Sequence, residues 1–424
     1  MPITLKLKSL AAVLAASSLV TPLHANEGNV PKGVPHLDHV FVIMMENHGY
    51  SQIVGNPNAP FINDYIKKVN VGTNYYAVAH PSLTNYLEVT GGSNFGVLND
   101  NPPDWHSTTC VPNIISAKTG FDVKATPLVC PIYGTGTDAA TPLIDYSNET
   151  NPPSITAVTE IDGVHSYAAD ASVSGKTIAD QLSEAGKSWK SYQESLPSTG
   201  ANLVDYSDGF FTDSSDFAAL LPQQSPTPTT AQVVQLYASK HDPFVYFRSI
   251  QESPLINNIV GFEGPHGLFD DLNSGHLPDY SYIVPNQCND QHGKNNGTLA
   301  CYADPNDNGT QVGLNPALIY QGDLTLQTLV NAIHSSPVWQ EGNSAIVIIW
   351  DENDYSQTPY PNKVLLTVDT NYGPHNVTSS NYYTHFSLLK SIESGLRLPC
   401  LNHACDDSTA TITDLFAGGE RDLW

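Results

Sequence analysis

The stretch "HVFVIMMEN", residues 39–47, begins as an almost continuous apolar run and ends in Glu46 and Asn47. A strand carries apolar side chains at consecutive positions only where both faces of its sheet are covered, as they are in parallel α/β sheets. The run therefore predicts a central strand with polar side chains at its end. Because ligands gather at the carboxyl ends of such strands, this end is a candidate site.

Further apolar runs predict other strands of the same sheet, at residues 243–250, 280–285, 344–350 and 364–368. Helical periodicity predicts helices at residues 59–68, 177–186, 323–336 and 381–395. The alternation of strands and helices predicts an α/β fold, a mostly parallel sheet with helices on both faces. Residues 92–174 are rich in Pro, Thr, Asn and Asp, and predict an irregular insertion or cap on a single domain, residues 26–424.

The first 25 residues have the pattern of a secretory signal peptide. Lys6 and Lys8 precede an apolar run at 10–20, and a small-residue cleavage site ends at Ala25. No later apolar run reaches the length of a membrane helix. We therefore expect an exported protein, secreted or periplasmic, without a stable membrane anchor.

The formal net charge is −25. A surface of this sign repels nucleic acid and anionic lipid, so neither is an expected non-specific partner. The chain has only three arginines, Arg248, Arg397 and Arg421. For an anionic substrate, a metal ion is therefore a more plausible charge partner than an arginine clamp.

The 6 cysteines fit an exported protein, and their closeness in sequence predicts three local disulfides. The predicted pairs are Cys110/Cys130, Cys288/Cys301 and Cys400/Cys405. Since no CxxC motif occurs, structural bridges are favoured over a zinc site. Sequons that a glycosylating host could modify stand at Asn148, Asn296, Asn308 and Asn376.

Three of the predicted strands run directly into polar clusters. Glu46 and Asn47 follow the first, Asn286 and the segment 289–292 follow the strand at 280–285, and the segment 351–354 follows the strand at 344–350. One such cluster is typical of a solvated turn. Three clusters that offer carboxylate, amide and imidazole groups favour a metal site assembled from separate strands.

The segment "HPSLTNYLEVTGG", residues 80–92, predicts a helix from Leu83 to about Thr90 with Ser82 as its N-cap. A serine at a helix N-terminus also places its hydroxyl among backbone N–H groups, where the helix dipole favours negative charge. Asn85 lies on the same side of the first turn. Ser82 thus suits both a cap and a nucleophile beside a phosphoryl group.

Six segments in order give the chain a family resemblance: "VIMMENHGY", "HPSLTNYLEVTGG", "GKTIADQLSEAGKSWKSYQESLP", "HDPFVYFRSI", "IVPNQCNDQHG" and "VIIWDENDY". Together they resemble the phosphoesterase family of secreted acid phosphatases and phospholipases C, in the alkaline-phosphatase-like superfamily. The resemblance spans roughly residues 36–396 and is greatest to the secreted acid phosphatases, which include phosphatidylinositol 3-phosphatases. It implies an alkaline-phosphatase-like three-layer sandwich. It also implies a secreted, metal-dependent phosphomonoesterase that acts on small phosphate esters or phospholipid head groups through a phosphoserine.

The resemblance also implies site residues. Ser82 matches the nucleophile, which also contacts the metal, and Asn85 matches an amide that contacts the phosphoryl group. The implied metal ligands are Glu46, Asn47, Asp351 and Glu352. Asp290, His292 and His385 fall where the superfamily has a second metal group, or the two histidines serve as proton donors. Since Asp-Glu stands here in place of the Asp-His of alkaline phosphatases, the site is oxygen-rich and favours Ca²⁺, Mg²⁺ or Mn²⁺ over Zn²⁺.

Two alternative functions remain open at this level. One is a phosphodiesterase of the phospholipase C type, and the other is a non-catalytic, exported, calcium-stabilised binding protein on a hydrolase fold. The stretch 304–315 begins like a calcium loop, but Asn315 stands where an EF-hand needs a bidentate Glu, which favours a turn. Neither GxSxG nor HExxH occurs, which argues against the common esterase and zincin patterns.

Overall fold

A computed structural model describes residues 27–80, 82–95, 111–112, 129–130, 132–133, 168–169, 173, 175–196, 200–201, 236–293, 299–304, 309–353 and 362–417. The predicted signal peptide and most of the predicted insertion lie outside the described residues. So do Cys110, Asp354 and the sequons at Asn148, Asn296 and Asn308. Within the described part of the chain, no helix has the length and apolar character needed to cross a membrane.

Nine of the described strands form one central sheet, and four two-residue strands form two small separate sheets. In chain order the strands are β1 (His39–Met45), β2 (Asn70–Tyr76), β3 (Val111–Pro112), β4 (Val129–Cys130), β5 (Ile132–Tyr133), β6 (Ala168–Ala169), β7 (Trp189–Gln193), β8 (Ile259–Val260), β9 (Tyr280–Val284), β10 (Ser344–Trp350), β11 (Lys363–Thr370), β12 (Thr378–Ser379) and β13 (Tyr383–Thr384).

The central sheet has the order β12-β2-β11-β10-β1-β9-β7-β8, and β13 also pairs with β2. Strands β10, β1, β9, β7 and β8 run parallel to one another. Only the pairings of β11 with β10 and β2 are antiparallel. The expected α/β class with a mostly parallel sheet is therefore confirmed.

The described α-helices are α1 (Tyr50–Ile53), α2 (Pro60–Tyr65), α3 (Ser82–Gly91), α4 (Ile178–Glu184), α5 (Arg248–Gln251), α6 (Leu268–Ser274), α7 (Pro316–Ser335) and α8 (His385–Leu396). They pack in two groups, with α2 and α6 against α7, and α4 and α8 against α3. All seven residues of β10 are buried. Because consecutive strand residues point to opposite faces, both faces of the sheet are covered there.

One predicted strand is wrong. Residues 243–250 form a 3₁₀ turn, Pro243–Tyr246, followed by α5, and only Phe247 makes an isolated bridge, to Val173. Proline at the first position of the turn favours this local helix, because its fixed φ suits a helical start. The apolar side chains of Phe244 and Val245 are buried without any ladder, so a continuous apolar run here marked the core and not a strand.

Two predicted disulfides are confirmed, Cys288–Cys301 and Cys400–Cys405. The first closes the segment that follows β9, and the second ties the C-terminal part of the described chain near Gly28, whose backbone N–H donates to Cys400 O at 2.9 Å. The pair Cys110/Cys130 stays a prediction, because Cys110 lies outside the described residues. The division into a signal peptide and one catalytic domain also stays a prediction.

Candidate active site

The carboxyl ends of three adjacent parallel strands bring three acids together. Glu46 follows β1, Asp351 follows β10 and Asp290 lies in the loop after β9; all three are fully buried. The Glu46 N–H donates to Asp290 O at 2.8 Å, and the Asn47 N–H donates to Asp351 Oδ1 at 2.9 Å. The convergence follows from the topology, since parallel neighbours end at the same edge of the sheet.

Ser82 is the first residue of α3 and points its hydroxyl into this acidic cluster. Its Oγ lies 3.3 Å from Glu46 Oε2 and 3.3 Å from Glu352 Oε1. A hydroxyl has one proton and donates to one carboxylate at a time. The side chain therefore faces the acids instead of capping its own helix, and the predicted nucleophile lies between acids from two different strands.

Asn85 holds the segment that leads into Ser82. Its Oδ1 accepts from the N–H groups of Val78 and Ala79 at 3.1 and 3.0 Å. Its Nδ2 donates to Ala79 O at 2.8 Å and to Glu352 Oε2 at 3.1 Å. In this structure the amide therefore shapes the approach to α3 and fixes Glu352.

His80 and His241 belong to the cluster, although the sequence analysis assigns neither of them a role. His80 Nδ1 lies 2.7 Å from Glu352 Oε2. His241 lies between two acids, with Nε2 3.1 Å from Glu46 Oε1 and Nδ1 3.2 Å from Asp290 Oδ2. The Tyr86 ring stacks on His241 with centroids 5.3 Å apart. The histidine of "HDPF" is remote in sequence from every acid it contacts, so spacing carries no signal for it.

His292 lies beside the cluster and His385 beneath it. The His292 N–H donates to Asp290 Oδ1 at 2.7 Å, and its ring Nε2 lies 3.2 Å from Lys240 Nζ. His385 is fully buried, with Nε2 2.7 Å from Asp351 O and Nδ1 2.7 Å from the Tyr75 hydroxyl. Burial lowers the pKa of His385 to about 4, so this ring is neutral near pH 7.

The buried acids lie close enough to raise one another's pKa values, and Lys240 offsets this only in part for Glu46. Burial, and then the Asp351 and Asp290 carboxylates, raise the pKa of Glu46 well above its ordinary value. Burial and then the neighbouring Glu352 do the same to the pKa of Asp351. Carboxylates packed in this way stay ionised only with a cation among them.

The donor set fits a divalent metal ion. Among the residues that the structure describes, Asn47 Oδ1 and Asp351 Oδ2 are buried and have no hydrogen-bond partner. Glu46, His241 and His292 also offer ligand atoms that lie within 4.8 Å of one another. The first set offers carboxylate and amide oxygens, and the second offers a carboxylate with two imidazoles. Both are usual ligand sets for divalent cations in proteins.

Comparison with known proteins gives a family match. The sequence profile described as the phosphoesterase family matches residues 56–300. The chain is 23% identical over 420 residues to a phosphatidylinositol-3-phosphatase of Mycobacterium tuberculosis, covering 98% of this chain and 96% of that protein. It is 23% identical over 419 residues to an acid phosphatase of Aspergillus fumigatus, covering 98% of this chain but only 66% of that protein.

Among solved structures, a protein of the alkaline phosphatase superfamily from Vibrio parahaemolyticus matches with a TM-score of 0.43 and 12% sequence identity. The match covers 90% of this chain and 72% of that one.

Proposed function

The chain belongs to the phosphoesterase family and is a phosphoric ester hydrolase; on that premise we propose that it is a metal-dependent phosphomonoesterase with a phosphoserine intermediate. One observation carries the proposal. The Ser82 hydroxyl stands at the N-terminus of a ten-residue helix, between the carboxylates of Glu46 and Glu352. A serine placed there serves as a nucleophile if the acids around it hold a cation.

The residues that would hold the metal are those around the unpartnered oxygens. They are Glu46, Asn47, Ser82, Asp351 and Glu352, with Asp290 on the far side of Glu46. When bound, a divalent cation would offset the charge of the phosphate ester and lower the pKa of the serine hydroxyl. Mg²⁺, Ca²⁺ and Mn²⁺ suit the oxygen donors best.

Ser82 would give its hydroxyl proton to Glu46 or Glu352, the carboxylates within 3.3 Å of it, as Oγ attacks phosphorus and the bond from phosphorus to the ester oxygen breaks. The helix N-terminus favours the negative charge that accumulates on the phosphoryl oxygens, because its backbone N–H groups point toward that position. Asn85 supports the attack by fixing the chain before Ser82, and the proposed contact of its amide to the phosphoryl group would replace its bond to Glu352 Oε2. Water would then hydrolyse the phosphoserine in a second step and return the free hydroxyl.

The leaving alcohol needs a proton, and the proposal gives this role to His292. Its ring borders the acids and is half-buried, with Nε2 3.2 Å from Lys240 Nζ and Nδ1 2.7 Å from Gly293 O, whereas His385 is fully buried below the site. His385 would instead hold the Asp351 carbonyl in place. His292 therefore suits a general acid better than His385 does.

Monoesters are the proposed substrates because the relatives' names are those of monoesterases, an acid phosphatase and a phosphatidylinositol-3-phosphatase. Small phosphate esters and phosphoinositide head groups are therefore the first compounds to test. Export is proposed with them, since the two described disulfides form and persist in oxidising compartments.

The test is hydrolysis of p-nitrophenyl phosphate, with bis(p-nitrophenyl) phosphate as the diester comparison. Acid-quenched wild-type protein should carry one phosphate adduct by intact-mass analysis, and Ser82→Ala should lose both the adduct and turnover. Ser391→Ala is the matched control, since this buried serine donates to Ser387 O at 2.6 Å within α8, away from the acids. Turnover that survives in Ser82→Ala, or preferential hydrolysis of the diester, contradicts the proposal.

A further inference from the structure

Gln291 is a buried residue between Asp290, one of the acids of the candidate site, and His292, which lies beside them. Its side chain faces away from the acids toward the body of the protein. The Trp350 indole N–H donates to Gln291 Oε1 at 2.9 Å, and Gln291 Nε2 donates to Ile319 O at 2.9 Å. The side chain thus joins the loop after β9, the last residue of β10 and helix α7.

Trp350 immediately precedes Asp351, so the bond from Gln291 to Trp350 links the residues next to two candidate ligands. Two backbone hydrogen bonds join the same three segments at Glu46 and Asp351, so the contacts form a closed circuit. The Glu46 N–H donates to Asp290 O at 2.8 Å, and the Asp351 N–H donates to Met45 O at 2.9 Å. The bond between Gln291 and Trp350 is the side-chain bond in this circuit, and the other two are backbone bonds.

The surrounding structure accommodates Gln291 at some cost. Its φ is +82°, in the left-handed region that disfavours residues with a Cβ. Gly322 of α7 lies against it, and a Cβ at position 322 would overlap Gln291 Cγ. Residues held in such conformations cluster where the surroundings fix a functional geometry.

We infer that Gln291 is a positioning residue, which sets the separation of Asp290 and Asp351 and thereby the affinity of the site for its divalent cation. The inference rests on the proposed function, because it concerns the same metal centre. Side chains that orient metal ligands without touching the ion commonly contribute 10- to 100-fold to affinity.

The variant Gln291→Met removes both hydrogen bonds and keeps a side chain of similar length. Titration of the purified protein with Mg²⁺, and separately with Mn²⁺, should show affinity about 10- to 100-fold weaker than in wild type. The rise in Tm on adding either ion should shrink accordingly. Turnover should recover in part at high metal concentration, which a general loss of packing would not produce.

Gln181→Met is the matched control. Gln181 is also buried, and its Nε2 donates to Pro399 O at 2.8 Å and Glu27 Oε1 at 3.1 Å, outside the candidate site. This variant should have a lower Tm but wild-type metal affinity. Should Gln291→Met behave as Gln181→Met does, with lower stability and unchanged affinity, the inference is overturned.

Trp350→Phe provides a second variant in case Gln291→Met does not fold. It replaces the indole with a smaller ring that has no N–H, so it removes the bond to Gln291 together with some packing volume. It should weaken metal affinity in the same direction; wild-type affinity here would overturn the inference. The double variant should bind no more weakly than Gln291→Met, since the bond that Trp350→Phe breaks is one that Gln291→Met has already removed. If wild type binds metal and turns over substrate, and the variants bind metal with wild-type affinity, this inference is wrong while the proposed function stands. A wild-type protein that binds neither ion defeats the proposed function as well.

Discussion

The two edges of the central sheet both bury carboxylates, and they treat them in opposite ways. At the edge where β11 ends, Asp369 Oδ2 accepts from the Tyr65 hydroxyl at 2.7 Å and lies 2.8 Å from His334 Nε2. At the edge where β1 and β10 end, Glu46 and Asp351 face each other, and Asp351 Oδ2 has no hydrogen-bond partner within the described chain. The first edge supplies donors for its acid, whereas the second crowds several acids together and leaves Asp351 Oδ2 without a donor among the described residues.

The difference separates an acid that serves folding from acids that serve a ligand. Burying a polar group costs free energy unless it is hydrogen-bonded, so a folding role predicts donors around the carboxylate. A fold that keeps several buried acids next to one another gives up stability, and such sites are typical of function. The antiparallel direction of β11 sends Asp369 to the far edge, which keeps the two kinds of acid apart.

The largest expected effect comes from exchanging Asp for Asn at each edge. Asp351→Asn should reduce turnover of p-nitrophenyl phosphate by about 100-fold or more, because it removes a charge that would hold the cation. Asp369→Asn should lower Tm while turnover per folded molecule stays at the wild-type level. Equal turnover in the two variants would remove the functional distinction between the edges.

Metal removal gives the next largest effect. Exhaustive chelation should abolish activity, and a divalent ion at about 100 times its Kd should restore it and stabilise wild type by about 2.7 kcal/mol. Asp369→Asn should show the same stabilisation, and Asp351→Asn should show much less. Activity in chelated protein that contains no metal by elemental analysis would leave Ser82 needing another activator.

A third kind of buried acid sharpens the comparison through pH. Asp323 accepts from the N–H groups of Phe61 and Ile62 at 2.7 and 2.8 Å, and burial raises the pKa of Asp323 to about 6. A raised carboxyl pKa makes its contribution to stability greatest below the unfolded value, and that contribution declines as pH rises from about 4 to 6.

Asp323→Asn should therefore flatten the fall in unfolding free energy over this pH window, by on the order of 2 kcal/mol. Denaturant titrations of wild type and variant at pH 4, 5, 6 and 7 measure the difference. The substitution also weakens the hydrogen bonds from Phe61 and Ile62, which shifts the unfolding free energy of the variant by the same amount at every pH. Parallel curves for the two proteins would contradict the prediction.

The smallest expected effect is at the satisfied edge. Tyr65→Phe removes one of the two donors to Asp369 and keeps the ring, so we expect a loss of about 1 kcal/mol of stability. Turnover and metal affinity should not change. A fall in activity without a fall in Tm would mean that the far edge is coupled to the site.

The fold was predictable where strands are buried on both faces. The predicted bounds of β1 and β10 agree with the structure, and β9 differs by one residue. β2 and β7 were missed, because "NVGTNYY" and "WKSYQ" bury polar residues such as Ser191 and Gln193 that hydrogen-bond within the protein. The strand predicted at 243–250 was wrong for the opposite reason. Its apolar residues are buried in the core without forming the hydrogen-bond ladder of a strand.

The acids of the site were predictable because parallel strands end at one edge. Glu46, Asp290, Asp351 and Glu352 follow their strands in the chain, so pattern and topology place them together. The positions of His80 and His241 could not be predicted, since no sequence spacing relates a single histidine to these acids. Only the tertiary fold brings the two histidines to the acids. The roles assigned to Asn85, His292 and His385 remain predictions.

The register of β1 against β10 has a consequence for how this chain can vary. The two strands pair residue for residue from His39 with Ser344 to Met45 with Trp350, with no bulge between them. Deleting or inserting one residue in either strand would displace one acid by about 3.3 Å and turn its side chain to the other face. Apolar substitutions within these segments are therefore tolerable, whereas any change in their length is not. In this part of the gene, frame-preserving indels should be purged far more strictly than missense changes.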